Sequence, residues 1–101
     1  MEITSINKGE TPVIQLRGRF DFSDFRVFKE TYESILKQSS AGEMELDLSG
    51  VDYLDSSALG MLILLRERAH STGKKVILSG PNAAVRGILE IANFNKLFTI
   101  S

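Results

Sequence analysis

The stretch LDLSGVDYLDSSALGMLILL, residues 46–65, decides how this chain is read, because two periodicities meet inside it. Its first residues belong to EMELDLS, 43–49, where Met44, Leu46 and Leu48 fall on one face and Glu45 and Asp47 on the other. Strict alternation of this kind marks a half-buried strand. From Ala58 to Leu65 the chain is apolar at every position except Gly60, which suits a buried helix. The five residues GVDYL, 50–54, read as the loop between them, and the helix is expected to run from about Ser56 to Ser71. Asp55 or Ser56 is placed to cap it, since a short side-chain oxygen accepts one of the free N–H groups of a first turn.

Working outward, Ile3 and Ile6 indicate a short first strand, and Gly9 and Pro12 punctuate a turn after it. VIQLR, 13–17, alternates and predicts a second strand ending near Gly18. Phe25, Phe28, Tyr32, Ile35 and Leu36 recur at helical spacing, with Asp21 or Ser23 as candidate caps. This aromatic stripe is read as core. KKVILS, 74–79, is a short apolar strand. PNAAVRGILEIAN, 81–93, is a third helix with Val85, Ile88, Leu89 and Ala92 on one side, and LFTI, 97–100, is a last strand. The order β-β-α-β-α-β-α-β argues for an α/β fold: a mixed, mostly parallel sheet of about five strands with helices packed on it. No linker or repeat divides the chain, so residues 1–101 are expected to form one domain.

Composition narrows the function classes. Apolar residues make up 43% of the 101 residues and charged ones 25%, which is enough to build a core. The formal net charge of −1 gives no long-range attraction to nucleic acid or an anionic membrane. With no cysteine, disulfides and thiolate metal sites are excluded, and a single histidine with scattered carboxylates supplies no metal-ligand spacing. No cofactor is expected. The apolar run 58–65 is far short of the roughly 20 residues that span a bilayer, and the N-terminus lacks signal-peptide character. The expected location is cytoplasmic.

An apolar helix that a sheet can cover on one side only must bury its other side elsewhere or offer it to a partner. Leu62 and Leu65 are assigned to the core. Leu59, Met61 and Leu64, with the first turn, are assigned to a partner-binding surface, Met being suited to adaptable contacts.

The adjacent serines could carry chemistry. A nucleophilic serine fails on reach: His70, the lone candidate base, lies 14 residues along the same helix, about 21 Å from Ser56. The G-x-S-x-G elbow is absent as well. No enzymatic activity is expected. Phosphorylation fits better. A serine after an exposed loop is accessible to a kinase, and the phosphate adds about −1.5 to −2 charges. Free N–H groups and the helix dipole tolerate that charge, so the fold survives. A partner docked there would meet a hydrated dianion beside Asp55, Asp52 and Asp21. The basic run RERAHSTGKK, 66–75, could be a phosphate or nucleic-acid patch, but it reads more simply as a helix C-terminus whose cations suit the dipole. Gly73-Lys74 lacks the upstream glycine of a P-loop.

These residues resemble a known family. LDLSGVDYLDSSALGMLILL looks like the signature of STAS domains, specifically bacterial anti-sigma factor antagonists, with its D-S-S/T-G-L-G opening an apolar helix. LRGRFDF, with Gly18 and Asp21, resembles the family's G-x-x-D segment, and PNAAVRGILEIANFNKLF its P-x-V-x-R-x-L stretch. The resemblance implies a STAS-type fold and partner switching. Ser56 would be the phosphoacceptor of an anti-sigma factor that is also a serine kinase, and a serine phosphatase of the metal-dependent class would reset it. Unphosphorylated protein would bind the anti-sigma factor and free the sigma factor. Asp55 would position the loop, Ser57 would help cap the helix, and Asp21 would lie beside Ser56. The alternative is a STAS subunit or scaffold of a transporter or signalling assembly that holds its partner without phosphorylation. Two departures are visible: Ala58 stands where the family often has Gly, and the family's further C-terminal helix is expected to be missing after Ser101.

Overall fold

A computed structural model describes residues 1–101. The elements run β1 (Glu2–Lys8), β2 (Thr11–Phe20), α1 (Phe25–Gln38), β3 (Glu43–Leu54), α2 (Ser56–Ser71), β4 (Lys75–Ser79), α3 (Ala83–Ile91) and β5 (Thr99–Ile100). Single 3-10 turns, Phe22–Asp24 and Phe94–Lys96, precede α1 and β5. The five strands lie in one sheet in chain order, β1 antiparallel to β2 and every later pair parallel. This is the expected mixed α/β architecture.

The alternation in β3 sets which face is covered. Ile14, Leu46 and Leu78 are register partners across β2, β3 and β4, and Met44 pairs with Val76. All are buried in one cluster of 22 residues that also takes Phe28, Tyr32 and Leu36 from α1, five residues of α2, and Val85 and Leu89 from α3. The helices therefore cover this face. The opposite face carries Gln15, Glu45, Asp47 and Ser79, where Glu45 accepts hydrogen bonds from Lys8 Nζ at 3.1 Å and Ser79 Oγ at 2.7 Å. No helix is long and apolar enough to cross a membrane.

Three expectations need correction. GVDYL is not a loop but the second half of β3, because β2 runs past Gly18 to Phe20 and pairs with it as far as Phe20 beside Leu54. The pairing slips between Gln15 and Arg17 and again at Gly18, whose φ of +100° suits glycine. These irregularities break the alternation and hide the strand from pattern reading. Gly50 lets the two strands close up there: a Cβ on it would meet Arg17 Cγ at 2.8 Å and the Leu16 carbonyl oxygen at 3.0 Å. Second, neither Asp21 nor Ser23 caps α1 directly. Asp21 caps the 3-10 turn in a reciprocal box with Asp24, and α1 begins one turn later. Third, Met61 is in the core rather than on a surface, only 3% exposed. The buried residues of α2 are Ala58, Met61, Leu62, Leu65 and Ala69, a stripe at three- and four-residue spacing with Met61 in its middle.

Candidate functional site

The register of β2 on β3 builds the site. Phe20 and Leu54 are partners at the ends of these parallel strands, so the next residues, Asp21 and Asp55, emerge side by side at one edge of the sheet. Asp55 is the N-cap of α2: its extended backbone turns the chain out of β3, and its Oδ1 accepts a hydrogen bond from the Ala58 N–H at 2.9 Å. The cap is therefore Asp55, and Ser57, half-buried, has no part in it. Ser56 becomes the first helical residue, exposed to solvent, and its hydroxyl is free of the capping contact.

Around Ser56 the sequence-assigned residues divide. Asp21, Asp55, Ser56 and Ser57 gather at the edge. Asp21 is held rigidly: it accepts hydrogen bonds from the Ser23 hydroxyl and from the Ser23 N–H, 3.0 Å away. These donors hold its carboxyl below the ordinary value of 3.8, with Arg19 adding a favourable charge. Leu64 is 44% exposed and Leu59 partly buried against the core, so both present surface along α2. Met61 does not.

Sequence reading missed an aromatic and cationic rim on the same edge. Phe22, 69% exposed, stacks on Phe25 with ring centroids 6.1 Å apart. Tyr53, 42% exposed, lies under the Arg19 guanidinium at 4.4 Å, and Arg19 Nε is 3.5 Å from Asp21 Oδ2. The missed signal was exposure at a strand end. Phe22 precedes the helical stripe and has no place in it, and Tyr53 follows the slip in register.

An exposed hydroxyl at the first position of a capped helix, flanked by fixed carboxylates and exposed rings, can accept a phosphoryl group and can dock a protein. His70 sits at the far end of α2, and no group of three His, Cys, Asp or Glu side chains is placed to hold a metal ion.

A five-stranded sheet of this order, with the D-S-S turn between its third strand and second helix, defines a STAS domain. The chain matches the family described as Mlab, STAS domain, over residues 4–99, and it belongs to that family. It is 41% identical over 103 residues to the STAS-domain containing protein PA14_20770 of Pseudomonas aeruginosa strain UCBPP-PA14, a match covering all of both chains. Among solved structures, it is similar to the phosphorylated form of the Bacillus cell fate determinant SpoIIAA, at TM-score 0.74 and 16% identity, covering 99% of this chain and 91% of the other. SpoIIAA is also solved unphosphorylated, under the description of an anti-sigma factor antagonist, with the same score and identity and 99% and 87% covered. The STAS domain of a SulP transporter from Vibrio cholerae matches at TM-score 0.69 and 27% identity, covering 86% of this chain and 70% of that one.

Proposed function

We propose that this protein is a partner-switching regulator, an anti-sigma factor antagonist whose Ser56 is the switch. The carrying observation is that Ser56 is exposed at the start of α2 while Asp55 alone makes the cap. Adding a phosphate there costs the fold no hydrogen bond. The serine Oγ attacks the γ-phosphorus of ATP, ADP leaves, and the proton passes to a base on the kinase; hydrolysis by a metal-dependent serine phosphatase returns the hydroxyl and releases orthophosphate. Unphosphorylated, the edge formed by Asp21, Asp55, Ser56 and Ser57, with Leu59 and Leu64 along α2, binds an anti-sigma factor that is itself the serine kinase. Phosphorylated, it presents a hydrated dianion beside carboxylates at Asp21, Asp52 and Asp55, and the partner is released. The process takes place in the cytoplasm, by binding rather than catalysis. That SpoIIAA, of similar fold, is known in phosphorylated and unphosphorylated forms supports this reading.

The test is a binding assay against the cognate anti-sigma kinase. Ser56→Ala is expected to bind constitutively and Ser56→Asp not to bind, and equal binding by the two excludes the switch. The likeness to a transporter STAS domain favours a second reading, in which the same edge holds a membrane assembly without modification. Intact mass after incubation with kinase and ATP separates the two: a single added phosphate on Ser56 supports the first, and none supports the second.

A further inference from the structure

A second concave site lies at the other end of α2. The last turns of that helix, the start of β4 and the 3-10 turn before β5 enclose an open cleft of about 580 Å³. Arg66, His70, Lys74, Lys75 and Lys96 line it, and no Asp or Glu does. The volume falls in the range of small-molecule sites, about 300–1,000 Å³.

No ion pair is formed in this cleft, although Glu43 is the register partner of Lys75 on the neighbouring strand. The ion pairs of the chain lie elsewhere, at the N-terminus with Asp24, Lys8 with Glu45, Arg19 with Asp21, Arg26 with Glu30, and Arg68 with Glu33. Lys74 is buried and its Nζ donates to the carbonyls of Ser39 at 2.6 Å and Ala41 at 2.8 Å, which leaves a fixed positive charge behind the wall with no carboxylate to cancel it. Arg66 Nε donates to the Leu97 carbonyl at 2.8 Å. That bond anchors the guanidinium at the cleft and leaves its terminal amino groups free to grip an oxyanion. The dipole of α2 accounts for His70, which lies in the last turn. It does not account for Arg66, more than one turn earlier, nor for Lys96, which a separate element brings in. Like charges drawn together from three elements repel one another and weaken the fold unless something neutralises them.

We propose that this cleft binds a small anion bearing two or more phosphoryl groups. The cations surround a space too large for one orthophosphate, and Asn95 and Thr99 add neutral hydrogen-bonding groups on the same wall. Leu97, 38% exposed, gives a short apolar side where the organic part of a nucleoside diphosphate would rest. The site is about 21 Å from Ser56 along α2, counting His70 as its marker, and stands independently of the phosphoswitch.

The experiment is an NMR titration of the full chain with pyrophosphate, ADP and orthophosphate at constant ionic strength. Saturable shifts are expected at the amides of Gly73, Lys75, Lys96 and Thr99, with Ser56 and Ala58 unmoved, and pyrophosphate should bind about tenfold or more tightly than orthophosphate. Equal affinities for pyrophosphate and ADP show that the phosphates alone are read; tighter ADP binding shows that the apolar side is used. The double variant Lys75→Gln/Lys96→Gln changes two exposed side chains, so it should keep its melting temperature and lose about tenfold or more in affinity. The proposal is overturned if pyrophosphate gives no saturable shift at millimolar concentration, if chloride reproduces the shifts, or if the double variant binds unchanged.

Discussion

Replacing Ser56 by Asp should separate the stability of this protein from its binding. The new carboxylate stands at the first position of α2, where the helix N-terminus stabilises an anion by about 0.3–1 kcal/mol. Opposing it are the carboxylates of Asp21 and Asp55 at the same edge. In water, a like charge about 8 Å away costs roughly 0.5 kcal/mol before salt screening. The cap from Asp55 to the Ala58 N–H stays, and no buried group is disturbed. The sum is within about 1 kcal/mol of zero, so thermal unfolding followed by circular dichroism should shift by no more than about 4–8 °C in a domain of this size. Binding to the anti-sigma kinase should fall a hundredfold or more, equivalent to about 3 kcal/mol. A loss of stability well beyond 2 kcal/mol would show that Ser56 is part of the packing and would refute the reasoning. So would a full-strength complex formed by the stable variant.

Other substitutions test the frame around the switch. Asp55→Ala removes the cap of α2 and should cost about 1 kcal/mol, read as a melting temperature lower by about 4–8 °C. Gly50→Ala forces a methyl group against the β2 backbone and should destabilise by about 1–3 kcal/mol in urea titration. Met61→Ala, in the core, should cost about 2–5 kcal/mol, while Leu64→Ala, on the surface, should stay within about 0.5 kcal/mol and weaken partner binding instead. The Arg68 guanidinium, donating to both oxygens of Glu33 at 2.9–3.0 Å, holds that carboxyl below its ordinary value of 4.5. A depressed folded-state value means that the unfolded chain binds the proton first, so this stabilisation is present above about pH 4.5 and is lost as pH falls through the folded value. Arg68→Ala should therefore lower the urea midpoint near pH 6 and lower it progressively less as the pH is taken down below 4.5, and a loss that does not shrink with acidification would remove the ion pair as its cause.

How much of this was legible depends on how locally each feature is encoded. The bounds of α2 are readable because an acid, two serines and an unbroken apolar run stand next to one another. Asp21 and Asp55 emerge at one edge of the sheet, since parallel strands deliver their following loops there. The second half of β3 was hidden because its pairing with β2 slips at Gly18, and alternation is a signal only where register is regular. The placement of Met61 was hidden for the opposite reason: a helix with no polar face does not say which side turns outward, and only the packing against α1 and the sheet decides it. The basic cleft needed Lys96, 30 residues beyond Arg66, which no local pattern connects to it.

The strands of the sheet lie in the same order as they occur in the chain. Each new strand therefore has its neighbour already in place, and no pairing must wait for a segment more than one helical crossover away. Such a sheet can grow from its N-terminal hairpin while the rest of the polypeptide is still being synthesised, adding one strand and one helix at a time. The surface bearing Ser56, finished once β3 has passed into α2, would then be assembled before the C-terminal third has left the ribosome.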